Sequence, residues 1–179
     1  MSEFKCIDLR EFFNHKLFYS NKPDDKDNCG IDNIYIETQE LGDQKEILGG
    51  VEFVSHYGGN DNIVCENQKI RINSNAKSIH FLGFSYWGET NELIKILYED
   101  NGEEYVNIPF MDWNRDFCNV DKVLCGDNME PVKTLISSGD LIHLVHFHRS
   151  KVDLKGKNID AIILPDNMLL HIFAITIEK

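Results

Sequence analysis

From Ile47 onward, apolar residues recur at every second position, and clusters of Gly, Asn and Asp interrupt the alternation. A period of two is that of a β-strand, whose successive side chains point to opposite faces. Val51 and Phe53 alternate with Glu52 and Val54, and Ile70 and Ile72 alternate with Arg71 and Asn73. From Ser78 to Tyr86, Ile79 and Phe81 face one way and His80, Leu82 and Phe84 the other. Apolar residues on both faces predict a strand buried in the middle of a packed structure. Leu93 to Tyr98 and Tyr105 to Ile108 flank Asp100-Asn101-Gly102, residues that tolerate the positive φ of a tight hairpin turn. Gly139-Asp140 precedes a strand from Leu141 to His148. A final pair, Ile159 to Leu164 and Leu170 to Ile177, is joined by Pro165-Asp166-Asn167. On the last of these, Leu169, His171, Phe173, Ile175 and Ile177 share a face. About eight to ten short strands with frequent turns predict an all-β antiparallel sandwich or barrel.

The N-terminal part reads differently. Asp8 precedes Leu9-Arg10-Glu11-Phe12-Phe13, with Glu11 three residues on, a capping-box pattern that predicts a short helix with Leu9, Phe12 and Phe13 on the core. Asn21 to Gly30 is polar, contains Pro23 and reads as a loop. Residues 1–179 are expected to form a single β-sandwich domain, with 1–42 as a lead wrapping it.

The chain carries 18 Lys and Arg against 30 Asp and Glu, a net charge of −12. That balance disfavours nucleic acid and anionic membranes, both of which need cationic surfaces. No apolar run is long enough for a transmembrane helix, and no secretory signal follows Met1. The five cysteines form no C-x-x-C pair, so a reduced, cytoplasmic protein is expected. Cys118 and Cys125 could approach across a hairpin, but a structural disulfide is not expected there.

Several strings occur in order: Gly49-Gly50-Val51-Glu52-Phe53, Asn60-Asp61-Asn62-Ile63-Val64-Cys65, His80 to Glu89, Ile108-Pro109-Phe110-Met111-Asp112-Trp113, and Ile162 to Asn167 leading to His171-Ile172-Phe173-Ala174-Ile175-Thr176. The series resembles the galactose-binding-like β-sandwich (jelly-roll) modules that accompany bacterial glycoside hydrolases, over most of the chain from Gly49. The resemblance implies a jelly roll with ligand-contacting loops at one end, a carbohydrate ligand and an accessory, non-catalytic role.

A sugar ring has apolar C–H faces and hydroxyl edges, so its site needs an aromatic platform beside polar groups. Trp87, after a buried strand, and Trp113, flanked by Asp112 and Arg115 at another strand exit, offer that mix. The competing reading is that each Trp plugs an end of the core, with Arg115 pairing Asp112 or Asp116. His56 and Tyr57, before Gly58-Gly59, are a third candidate, against a plain turn.

A divalent metal is the weaker alternative. His146 and His148 share a strand face and His143 points away, so His80 or His171 would have to complete the set. Asp24 to Asp32 resembles a calcium loop in composition, but the twelfth residue from Asp25 is Ile36, where a bidentate Glu is needed. There is no G-x-S-x-G, P-loop or G-x-G-x-x-G. The readings are therefore a non-catalytic module binding a carbohydrate or polyol, a small metal-dependent enzyme using His146 and His148, or a protein-interaction domain that pairs with a partner or with itself.

Overall fold

Two unusually long strands organise the molecule. A computed structural model describes residues 3–23, 30–31, 33–114, 128–139 and 142–179. Its strands are β1 (Phe4–Cys6), β2 (Phe18–Tyr19), β3 (Ile34–Glu37), β4 (Gly42–Leu48), β5 (Val51–Tyr57), β6 (Ile63–Glu66), β7 (Lys69–Ser85), β8 (Thr90–Tyr98), β9 (Glu103–Phe110), β10 (Met129–Ile136), β11 (Ser138–Gly139), β12 (Leu144–Ile163) and β13 (Asp166–Glu178). The main sheet runs β1-β13-β7-β12-β8-β9, with β10 on β12 and β6 on β13. A small sheet β11-β3-β2 and the β4–β5 hairpin complete the all-β architecture.

β7 spans 17 residues and β12 spans 20. Their mutual register slips between Asp153 and Lys157 and again between Ile159 and Ala161. Gly156 and Asn73 take positive φ near these slips, at 73° and 45°. Such bulges bend a strand and increase its twist. Consequently Ile70 and Ile72 from the first half of β7 lie in the same buried cluster as Ile79 and Phe81 from its second half. Ile94, Ile96, Ile108 and Phe110 of the β8–β9 hairpin and Ile175 and Ile177 of β13 join that cluster. The sheet thus folds over one core, as a sandwich does.

The opposite face of β7 contributes Leu82 and Phe84 to a second cluster, with Phe147, Phe173, Val51, Phe53 and the lead residues Leu17, Phe18 and Ile36. The expected two-sided burial of 78–86 has this cause: a third layer, built from β4–β5 and the lead, covers the sheet's other face. Gly83 pairs with Ile172 of β13; a Cβ there would lie 2.2 Å from the His171 carbonyl oxygen. The β8–β9 hairpin forms at the expected turn, with Asn101 at φ 65° and Tyr98 N–H donating to the Gly102 carbonyl at 2.9 Å.

The N-terminal helix is not formed. Residues 10–12 make one turn, in which Phe12 N–H donates to the Leu9 carbonyl at 2.9 Å. The Asp8 carboxylate accepts Arg10 N–H at 3.1 Å, an Asx-type turn that competes with helix propagation. Leu9 is nevertheless buried, with Phe12 and Phe13 packed beside it. The segments 70–73 and 78–85 are parts of one strand, β7, and Tyr86 lies just beyond its end. The final two strands do not pair, because β7 lies between them. A register slip between Ile172 and Ala174 also breaks the single face expected on β13. Phe173 faces the second cluster, whereas Ile175 and Ile177 face the first.

Candidate functional site

The end of β7 carries an aromatic ladder from solvent to core. Ser85 N–H donates to the Met111 carbonyl at 2.8 Å and the Ser85 carbonyl accepts Trp113 N–H at 2.9 Å, so the segment leaving β9 runs beside the strand end. Tyr86 N–H donates to the Leu169 carbonyl at 2.7 Å. The next two residues, Trp87 and Gly88, take φ of 69° and 100°. A left-handed non-glycine residue carries a penalty of roughly 1–2 kcal/mol, so neighbouring structure must hold it in place. Asp112 does so: one carboxylate oxygen accepts Gly88 N–H, and the other accepts Asn114 N–H at 3.1 Å.

That turn leaves Trp87 73% exposed, whereas Trp113 is 6% exposed. Tyr86 links them, lying edge-on to Trp87 at 5.9 Å and stacked on Trp113 at 5.8 Å. The His143 ring meets Trp113 at 5.2 Å. Trp113 therefore plugs the core and Trp87 faces solvent. Met168 and Leu169, beside Tyr86, are also exposed. Arg115 lies outside the described residues, as do Cys118 and Cys125, and so does most of the 24–32 acidic segment.

His56 and Tyr57 do not join this group. They point to opposite sides of β5. Tyr57 is buried, lies T-shaped to the Phe18 ring at 4.6 Å, and its hydroxyl accepts a hydrogen bond from Lys133 Nζ at 3.2 Å; burial pushes its phenol up. His56 lines a cleft of about 150 Å³ with Cys6, Asp8, Arg10, Phe13 and Asp43. Its Nδ1 lies 2.7 Å from Asp43 Oδ1, and its ring stacks on Phe13 at 6.0 Å. Arg10 grips Asp8 in this cleft and holds its carboxyl down to about 2.

The metal reading finds no ligand set among the described residues. His143 precedes β12 and contacts Trp113, while His146 Nδ1 lies 2.8 Å from Thr134 Oγ1. His148 is fully buried, and desolvation, followed by the His146 charge, pushes it down to about 3. His171 Nδ1 lies 2.9 Å from Asn62 Oδ1 and His80 Nε2 lies 3.3 Å from Glu178 Oε2. Among the described residues, no group of three or more His, Cys, Asp or Glu side chains is placed to hold a metal ion.

Ser78, His80 and Glu178 unite the residue types of a hydrolase triad, but in the wrong order. Ser78 Oγ and Glu178 both lie on His80 Nε2, at 3.0 and 3.3 Å, whereas Nδ1 faces Arg149 at 3.5 Å. A triad needs the nucleophile and the acid on opposite ring nitrogens. Ser78 also donates to Glu178 at 2.8 Å, and the cluster reads as a buried structural network.

Sequence reasoning singled out the two tryptophans but not Tyr86, the residue that connects them; the adjacent aromatics in Tyr86-Trp87 were the available signal. Among the described residues, no helix is long and apolar enough to cross a membrane. No curated protein matches the chain. A family match covers residues 3–179, nearly the whole sequence, and on that match the chain belongs to the AziU2-like beta-sandwich domain family.

Proposed function

We propose that the chain is a non-catalytic ligand-binding module that takes a carbohydrate or related polyol on the Trp87 end of a galactose-binding-like jelly roll. One observation carries this reading: Trp87 stands 73% exposed on a left-handed backbone residue. Strained residues cluster at functional sites, and an exposed indole offers the flat face against which a sugar's C–H bonds pack. The Asp112 carboxylate oxygens, each already accepting one N–H, retain lone pairs for a sugar hydroxyl. Trp113 supports the ladder from within and does not touch ligand. The free thiols of Cys6 and Cys65 support a reducing, cytoplasmic setting.

A second reading is favoured by Met168 and Leu169, which are 70% and 39% exposed and adjoin the Trp87 turn. An apolar patch of this kind suits a protein partner or a second copy of the chain. Titration calorimetry against a panel of mono- and disaccharides that includes galactose tests the first reading. Saturable heat that disappears in Trp87→Ala supports it. Absence of heat with every sugar, together with dimerisation in light scattering, replaces it with the second.

A further inference from the structure

A buried polar cluster fastens the N-terminal lead to the sandwich. Asp61 and Asn62, between β5 and β6, are 1% and 0% exposed. Both Asp61 carboxylate oxygens accept Leu17 N–H at 3.0 Å, and Oδ2 accepts Phe18 N–H at 2.8 Å. His15 is tied by its backbone to the same pair: the Asp61 N–H donates to the His15 carbonyl at 2.9 Å and His15 N–H to the Asn62 carbonyl at 3.2 Å.

The side chain of Asn62 sets the proton positions. Its Nδ2 donates to Asp61 Oδ1 at 2.8 Å, so its Oδ1 must be the atom facing His171 Nδ1 at 2.9 Å. The reverse orientation would set two oxygens against each other. His171 Nδ1 therefore carries a proton. His15 Nδ1 faces Asn62 Nδ2 at 3.4 Å and accepts, while His15 Nε2 donates to the Gly30 carbonyl at 3.0 Å. The two rings meet edge-on at 5.2 Å. Only a neutral His15 satisfies this arrangement. A proton added at His15 Nδ1 sets donor against donor beside a second imidazole.

We infer that the His15–Asn62–His171 relay, with Asp61, is an acid-released latch that holds the His15–Tyr19 strap closed near neutral pH and frees it on acidification. The titratable and charged groups facing the cluster are His15 and Lys16 on the strap, Asp61 beside β6, and His171 on β13. Burial holds His15 below its ordinary value and His171 down to about 3, so opening lets both take up protons below about pH 6.5. Asp61 opposes them: desolvation raises it to about 6 in the closed form, so opening releases its proton between that value and 3.8. Two groups outweigh one, and acid favours the open form. Leu17, which lines a small internal gap with Phe84 and Trp113, leaves with the strap.

Amide hydrogen exchange on the full chain, at about pH 7.5 and about pH 5 and corrected for intrinsic rates, tests the latch. The amides of Leu17 and Phe18 are expected to lose about tenfold or more protection at the lower pH and to stay less protected than those of Ile79 and Phe81 at both. Unchanged strap protection overturns the proposal, and so does strap protection equal to that of the β7 amides, which signals exchange by global unfolding alone. In His15→Gln the uptake at His171 and the release at Asp61 nearly cancel, so the strap response should flatten; an unaltered opening pH overturns the role of His15. Should that variant not fold, a Trp87→Phe chain leaves Trp113 as the sole indole. Its emission should shift to the red with the strap amides, and a constant emission while the strap exchanges overturns the release of Leu17.

Discussion

The Asp112 carboxylate accepts the amide proton of Gly88 from 24 residues away and thereby fixes the backbone on which Trp87 stands. This hydrogen bond is charge-assisted, and its loss frees a turn that otherwise relaxes out of the left-handed region. Asp112→Ala is expected to weaken ligand binding by about tenfold while lowering stability by about 1–2 kcal/mol. Calorimetric binding and urea unfolding on the same preparation separate the two effects.

The two tryptophans should respond oppositely to truncation. Trp87 is solvent-exposed, so Trp87→Ala should alter folding stability by no more than about 0.5 kcal/mol while removing ligand binding. Trp113 lies in the second core cluster, and Trp113→Ala should cost about 3–5 kcal/mol. Equal loss of stability in both variants would contradict the separation of surface and core roles.

Gly83→Ala tests the closeness of β7 and β13. The added methyl would meet the His171 carbonyl oxygen at 2.2 Å, and a backbone atom inside a ladder has little room to retreat. A loss of about 3 kcal/mol or more is expected, measured as a fall in the urea midpoint.

Acid should destabilise the whole fold. His148 and His171 stand at about 3 when folded against an ordinary value of 6.5. Between those values the unfolded chain binds protons that the folded chain does not, so stability falls as pH falls. Each buried ring contributes on the order of 5 kcal/mol across the full window. Asp61 has the opposite sign, because its raised value means that the folded form holds its proton more tightly between about 6 and 3.8. One carboxyl does not offset two imidazoles. Thermal unfolding followed from pH 7.5 down to 4 should show a falling midpoint, and His148→Phe should fall less steeply.

Local periodicity made much of the architecture legible. The alternation of Ile79 and Phe81 against Leu82 and Phe84 matches two buried clusters, and the Asp100-Asn101-Gly102 turn lies where its residues demand. What escaped depends on tertiary context. Whether 70–73 and 78–85 are one strand or two depends on pairing with β12, which supplies partners for Ser74, Asn75 and Ala76 between them. The extra residue at Phe173 has no local mark, since a bulge is defined by its opposite strand. The Asp8 pattern admitted both a helix and an Asx turn, and local hydrogen bonding settled it for the turn. At the candidate site, alternation could place both tryptophans at strand exits but could not tell exposure from burial, because that is decided by Leu17 and Phe84 packing beside Trp113.

The position of β7 between two hydrophobic clusters has a bearing on synthesis. Its second half needs β13 as a neighbour, and Ser78 meets Glu178 across 100 residues of chain. Closing so long a loop comes before either cluster can reward it, which places folding on the slow side, in the range of about milliseconds to seconds. Until β13 leaves the ribosome, β7 has an unpaired edge and two apolar faces in water. That interval is when the growing chain is most open to pairing with the wrong strand.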